Sequence, residues 1–481
     1  MSHRKCTALT GHIIDDVRVR SAYWVNIANV ANLEVCVVNG HRPPYLDIEV
    51  VLPANWSGRY LQQGGSGLDG QIPSAIFRDD KEEIIGAHDG IETHGAVYAS
   101  SNGGNRLDQP GQGAPEVWLD GSADAKASLL DFSYLALEKT LGFAHGLMQQ
   151  VYGHLPEFSY FNGSSNGGRH AYIVAQRWPQ HFDGIVAGKE TMNIEGVAIA
   201  WLKMSQIAAT PAALSAAQYR YAYQAALKHC DGIDGTRDGL LMNAYACDFE
   251  VNTLSCDSTP AELCLSNSQV ATLELLLSDN KDRNDKVISS AFPWTDFSEF
   301  SPFFSAYAGV SGLMATGDPS WMTTEKLAQF DVDRDQHMII SGMRHSGAAH
   351  DVIGVAQYVA AGKKLISWHG GSDNLHPAKD HARMFQTMMG IAAHLAEGST
   401  IDPGQSAEFF IVPGAMHGEG AFPEVNWLAA IIDWVEKAKR PTGLIFERDG
   451  SSLPVCEFEP YPDFSKPWPE CRADSGNKKQ K

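Results

Sequence analysis

The sequence predicts an α/β fold: a doubly wound, mostly parallel sheet interrupted by an inserted domain. Three observations predict it. Up to about residue 190, short β-rich runs alternate with helical ones. From about 192 to 345 the texture changes to capped helices, aromatic loops and half of the cysteines. From Lys363 the strand–turn–helix rhythm resumes. The expected organisation is a core over 1–191 and 346–481 with a lid at 192–345.

Element by element, residues 47–52 (DIEVVL) and 96–100 (AVYAS) read as strands, with a Gly-rich turn at 63–70 between them. A long helix then carries Leu130, Tyr134, Leu137, Leu141, Ala144 and Met148 at alternating spacings of four and three, one apolar stripe. Phe158–Phe161 (FSYF) reads as a short strand and HAYIVAQRW at 170–178 as a helix. In the inserted segment, Ser215-x-x-Gln218 and Ser266-x-x-Gln269 are capping boxes. KLISWHG at 364–370 and EFFIVPG at 408–414 read as strands of the resumed core.

Composition bounds the function. Lys plus Arg number 37 against 57 Asp plus Glu over 481 residues, a formal net charge of -20. Such a surface repels nucleic acid and anionic membranes, so neither is an expected partner. No apolar run approaches the ~18–20 residues of a bilayer span. At ~150 residues per domain the length suggests about three units, which one large fold with an insertion also satisfies. The eight cysteines, at 6, 36, 230, 247, 256, 264, 456 and 471, fall into four sequence-local couples without a Cys-x-x-Cys pair. That distribution reads as a disulfide framework and a secreted or periplasmic protein, although connectivity does not follow from the count. The segment Met1–Cys6 has no apolar core, so the chain is expected to be a mature or trimmed form. Oligomeric state is not written in the sequence.

The chemistry concentrates at Gly163-Ser164-Ser165-Asn166-Gly167. Placed between a β-rich run and a helix, this is a G-x-S-x-G nucleophile elbow, which puts Ser165 on a strained turn kept open by glycines. A serine needs a base and an orienting carboxylate, which in this fold class follow in the order acid, then histidine. Asp373 follows the strand KLISWHG and His417 follows EFFIVPG, both in turns at strand ends. Competitors are His369 and His376 for the base, and Asp351 and Asp380 for the acid, the latter two in helical-looking segments. An oxyanion hole requires two amides. The expected donors are Asn166 and, from the Gly-rich turn, Gly65, whose alternative is a plain glycine turn.

Cys230-Asp-Gly-Ile-Asp-Gly-Thr-Arg-Asp-Gly-Leu240 is a second constellation. Asp231, Asp234 and Asp238, with the carbonyls of Thr236 and Leu240, offer the hard oxygen ligands that Ca²⁺ takes. The spacing is not that of an EF-hand, and alone such a run also reads as a solvated turn. The aromatics Trp201, Trp294, Phe297, Phe300, Phe303, Phe304 and Trp321 suit either an aryl pocket or the lid's own core.

YFNGSSNGGRHAYIVAQRWPQHFDGIVAG (160–188), the Gly-rich turn, HGGSDNLHP (369–377), PGAMHG (413–418) and the cysteine couples together resemble the tannase/feruloyl esterase family of α/β-hydrolases. This family also contains enzymes like mono(2-hydroxyethyl) terephthalate hydrolase. The resemblance runs over most of the chain. It implies serine hydrolysis of small-molecule esters of aromatic acids such as gallate, ferulate or terephthalate half-esters. It also implies an inserted lid with a structural calcium ion, and pairing of 6–36, 230–247, 256–264 and 456–471. One departure matters: where the family has a cysteine before the nucleophile and another after the histidine, joined to each other, this chain has Ser164 and Gly418. A complete triad favours catalysis over a non-catalytic lid-bearing binding protein. The same triad would also serve a lactone, a polyester oligomer or acyl transfer to an alcohol. An anionic aryl ester would need a basic contact in the lid.

Overall fold

Runs such as Val17-Arg-Val-Arg20 and Leu46-Asp-Ile-Glu49 alternate apolar and polar with period two, and the N-terminal residues fold as an antiparallel meander. Ile13–Ile14 (β1), Val17–Ile27 (β2), Leu33–Arg42 (β3) and Leu46–Pro53 (β4) pair in chain order. The computed structural model describes residues 1–27, 33–106, 116–190, 192–299, 301–418, 425–448, 451–457 and 464–465. The meander continues into the half of the sheet that holds the site. Arg59–Gln63 (β5), Val97–Ser101 (β6), Phe158–Ser164 (β7), Gly184–Gly188 (β8), Lys364–Gly370 (β9) and Ala407–Val412 (β10) form its strands, and Cys456–Glu457 (β11) closes the edge. The full order is β1-β2-β3-β4-β6-β5-β7-β8-β9-β10-β11, an 11-stranded sheet. From β6 to β10 every pair is parallel. All residues of β8 and β10 are buried, as expected for parallel strands covered on both faces.

The helix expected to carry the apolar stripe is two helices, Ala123–Leu130 (α1) and Ala136–Tyr152 (α2), joined by a π turn at Asp131–Leu135. The wider turn rotates the upstream face, so Leu137, Leu141, Ala144 and Met148 are buried while Leu130 is 39 % exposed. Asn166–Arg177 (α3) follows β7, and its residues Asn166–Ala175 are all buried.

Residues 194–349 build a second core of their own. Its helices include Ile194–Ala208 (α4), Ala216–Cys230 (α5), Asn267–Leu276 (α6), Phe304–Thr316 (α7) and Val332–Ser346 (α8). Both predicted capping boxes form, at the starts of α5 and α6. Trp294, Phe297, Phe304 and Trp321 belong to this core, and Phe300 lies outside the described residues. Leu375 and Met416, from the loops after β9 and β10, join the same cluster and seat it over one edge of the sheet. Val352–Ala360 (α9), Ala378–Leu395 (α10) and Trp427–Lys437 (α11) complete the layers around the sheet.

Disulfides join Cys6 to Cys36, Cys230 to Cys247 and Cys256 to Cys264. Cys456 is disulfide-bonded too; its expected partner, Cys471, lies outside the described residues. Among the described residues no helix is long and apolar enough to cross a membrane.

Candidate active site

At the end of β7 the chain turns sharply, and Ser165 adopts φ 59° and ψ -123°, a conformation that non-glycine residues rarely take. The turn is fixed on both sides. Ser165 N–H donates to the Gly188 carbonyl (2.9 Å), and Arg169 N–H donates to the Ser165 carbonyl (3.1 Å) as α3 begins. Glycines make this packing possible: a Cβ on Gly64 would lie 2.7 Å from Gly167 Cα, and one on Gly167 would lie 2.7 Å from the Gly65 carbonyl oxygen. The Gly-rich turn after β5 therefore rests backbone-to-backbone on the elbow.

The loops after β9 and β10 bring the other predicted residues to the serine. Ser165 Oγ is 2.8 Å from His417 Nε2, and His417 Nδ1 is 2.9 Å from Asp373 Oδ2. A carboxylate only accepts, so Nδ1 carries the proton and Nε2 is left to accept from the serine hydroxyl. Asp373 Oδ1 accepts from the amides of Leu375 (2.9 Å) and His376 (2.8 Å), while the His417 amide donates to Asn374 Oδ1 (3.1 Å). Burial works against ionisation of Asp373, but His417 and His369 beside it outweigh burial and hold its carboxyl well below the usual range.

The competing residues are occupied elsewhere. His369 Nε2 donates to the His376 carbonyl (3.0 Å) and faces Asp373 Oδ2 at 3.4 Å; its Nδ1 meets His381 Nδ1 at 2.9 Å. His376 Nδ1 donates to the Lys189 carbonyl (2.9 Å), and burial with His417 nearby lowers it to about 3, so it stays neutral. Asp351 caps α9, and Asp380 is paired with Arg383, Ser290 and Asn193.

Behind the serine lies a buried network that sequence reasoning missed. Asn166 Nδ2 donates to Asp69 Oδ1 (2.7 Å), and Arg169 Nε donates to Asn166 Oδ1 (2.7 Å). The remaining Arg169 N–H groups go to the carbonyls of Ser133, Ala348 and Phe132 and to His170 Nε2, so all five donors are committed. Two of those carbonyls come from the π turn, where the widened ladder leaves acceptors for other partners. Burial lifts the Asp69 carboxyl to about 7, against the pull of Arg169 and Asn166. The available signal was an acid within the Gly-rich turn, at Gly67-Leu-Asp-Gly70, and a base four residues past the serine.

Of the expected oxyanion donors, Asn166 heads α3, where the first amides of a helix have no partner within it. The Gly64 amide is committed to the Asn162 carbonyl (2.9 Å), leaving Gly65 as the next amide of the turn. The side chain of Asp69 packs under Gly65 and Gly103. A cleft of about 570 Å³, including its open mouth, runs from Ser165 under the lid. Leu68, Phe132, Trp201, Tyr307, Val310 and Leu375 form its apolar wall, with Glu190 and Arg169 among the polar residues at its margin.

In the loop after α5, Asp231 Oδ1 accepts from the amides of Asp238 (3.2 Å) and Gly239 (2.8 Å). Asp234 Oδ1 accepts from Thr236 N–H (3.0 Å), and Asp238 Oδ1 from Leu240 N–H (3.2 Å). Gly235 and Gly239 take φ of 93° and 73°, and the Cys230–Cys247 bridge anchors the loop. A separate trio of ligand atoms within 4.8 Å, His229, Cys230 and Asp248, is no metal site, because the Cys230 sulfur is bound to Cys247.

The sheet, the elbow and the covering helices define an α/β-hydrolase fold. Within that class, the family model for tannase and feruloyl esterase matches residues 29–343 and 354–467, so the chain belongs to the tannase and feruloyl esterase family and is a carboxylic ester hydrolase. It is 26 % identical over 425 residues to a probable feruloyl esterase B of Aspergillus niger, covering 82 % of this chain and 75 % of that one. It is also 26 % identical over 501 residues to mono(2-hydroxyethyl) terephthalate hydrolase of Piscinibacter sakaiensis, covering 88 % and 79 %. The crystal structure of feruloyl esterase B from Aspergillus oryzae aligns with a TM-score of 0.75 at 19 % identity, covering 95 % and 96 %, a likeness of fold.

Proposed function

We propose that the protein hydrolyses esters of uncharged aromatic acids through Ser165, His417 and Asp373. The observation that carries this reading is the continuous hydrogen-bonded line from Ser165 Oγ through both nitrogens of His417 to Asp373, at 2.8 and 2.9 Å, at the mouth of an aromatic cleft. Ser165 Oγ attacks the ester carbonyl while His417 Nε2 takes its proton, and Asp373 holds the imidazole tautomer. The amides of Asn166 and Gly65 bind the oxyanion. His417 protonates the departing alcohol, then activates the water that cleaves the acyl-enzyme.

The preference for an uncharged acyl ring follows from charge placement. Arg169 is the only cation among the described residues lining the cleft, and its five N–H groups are already bonded to protein. Glu190, 2 % exposed, lines the same cleft and brings a carboxyl group rather than a cation. A ring carboxylate would find no uncommitted cation among the described lining residues, which is costly in a largely apolar site. Methyl ferulate and methyl gallate should exceed mono(2-hydroxyethyl) terephthalate in kcat/KM by about tenfold or more, a difference of about 1.4 kcal/mol. A preference for the terephthalate half-ester would contradict this reading of the cleft.

Asp231, Asp234 and Asp238, with the carbonyls of Thr236 and Leu240, would hold a structural Ca²⁺; their oxygen donors on a glycine turn suit that hard cation. The ion would stiffen the lid and take no part in ester chemistry. Chelation by EDTA should lower Tm, restored by Ca²⁺, with kcat at 25 °C unchanged in the folded protein; an unaltered Tm would count against the site. The disulfides support secretion or residence in a periplasm.

A further inference from the structure

Lys189 is a residue the mechanism above does not use, and its surroundings are unusual for a lysine. Its side chain is fully buried, and its backbone takes φ 50°, a region that glycine occupies more readily. Burying an ammonium is costly unless it is well partnered, so a lysine in such a place requires compensating contacts. Nζ donates to the carbonyl of Met416 (2.7 Å) and reaches that of His417 (3.4 Å). Its amide donates to the Trp368 carbonyl (2.9 Å), and its own carbonyl accepts from His376 Nδ1 (2.9 Å). The residue before it, Gly188, accepts the Ser165 amide at 2.9 Å.

We propose that Lys189 is a positioning residue that holds the His417 loop in register with the serine elbow. Gly188 and Lys189 work as a pair at the end of β8: the carbonyl of one fixes the serine amide, and the ammonium of the other fixes the histidine loop. This chain carries Ser164 and Gly418 on either side of the same gap, so no sulfur joins the two loops. Lys189 supplies the cross-connection by hydrogen bonds. Burial lowers its ammonium to about 8, opposed by the charges of Asp373 and Glu299, and both the ammonium and the neutral amine keep N–H groups for the Met416 carbonyl.

The proposal rests on the assignment of Ser165 and His417, and the test separates the two. Lys189→Met keeps the length and removes the donor. It should lower kcat by about 10- to 100-fold, the scale expected for misplacing a catalytic group by about 1 Å, with KM within about twofold. The triple variant Lys189→Met, Ser164→Cys, Gly418→Cys replaces the hydrogen bonds by a covalent tie, the exposed Glu299 side chain turning aside for the new Cβ at 418. When oxidised it should regain most of the lost kcat, and reduction should remove it again while circular dichroism shows the fold intact. Wild-type kcat in Lys189→Met would overturn the proposal. So would a triple variant whose kcat is the same oxidised and reduced once mass spectrometry shows the bond formed. If Lys189→Met does not fold, the oxidised and reduced triple variant carries the test alone, and failure of that variant to fold when oxidised also counts against it. Full activity in Ser165→Ala would instead overturn the assignment of the triad.

Discussion

The serine loop and the histidine loop meet at 2.8 Å, yet they are held in place by different means. The serine loop is fixed locally: a strand, a positive-φ turn and a helix follow one another within a few residues, and glycines at 64, 163 and 167 let three backbones touch. The histidine loop draws less on its own backbone: Ala415 N–H donates to the Val412 carbonyl (3.3 Å), and the Ala415 carbonyl accepts from Ser372 N–H (3.1 Å). It is tied by the His417 amide to Asn374, by its ring to Asp373 and by two carbonyls to Lys189, each from a distant part of the chain. A loop built from its own backbone is intolerant of added atoms, whereas one held by remote side chains is sensitive to loss of those partners.

The largest test of this contrast is Asp373→Asn. It leaves the shape of the histidine loop but favours the wrong imidazole tautomer, and kcat should fall by about 10⁴-fold with the Tm little altered. Next is Arg169→Met, which leaves the serine loop without its buried network; stability in urea should fall by about 3–5 kcal/mol, because Asn166 Oδ1 and three carbonyls lose their donor and the Asp69 carboxyl loses the nearby positive charge. A paired substitution then compares the two loops directly. In Gly163→Ala the new methyl overlaps the Gly167 carbonyl, a rigid backbone contact, at a cost of about 1–3 kcal/mol. In Gly418→Ala the nearest atoms are those of the exposed Glu299 carboxyl group, the end of a flexible side chain, so the change should stay within about 0.5 kcal/mol. Equal costs in the two variants would break the comparison.

A last expectation concerns pH. Burial raises the Asp69 carboxyl from 3.8 to about 7, so between those values the folded state binds more protons than the unfolded one. Stability attributable to this group therefore falls as pH rises from about 4 to about 7 and is level above that. Asp69→Asn should remove that component, read as a shallower dependence of the urea midpoint on pH; an unchanged slope would place the proton elsewhere.

These differences also explain what could be read from the chain beforehand. The elbow was legible because glycine spacing, strand and helix all lie within one short segment. Asp373 and His417 were legible from their places just beyond two apolar strands. Asp69 and Lys189 were not, since Asp69 meets Asn166 across 97 residues and Lys189 meets Met416 across 227. Neither contact leaves a local pattern, and a lysine after an apolar strand reads as a solvated strand end. The π turn escaped for a related reason: the four-and-three spacing from Leu130 continued through it, and only the need for acceptors facing Arg169 distinguishes it.

The proposed chemistry stands or falls with Ser165 as the nucleophile, activated by His417. Treatment of the folded enzyme with a fluorophosphonate, followed by peptide mass spectrometry, tests it most directly. One adduct is expected on the peptide containing Ser165, absent from Ser165→Ala and formed far more slowly in His417→Ala. Ester hydrolysis at the wild-type rate by Ser165→Ala, or an inactivating adduct at another residue, would contradict it.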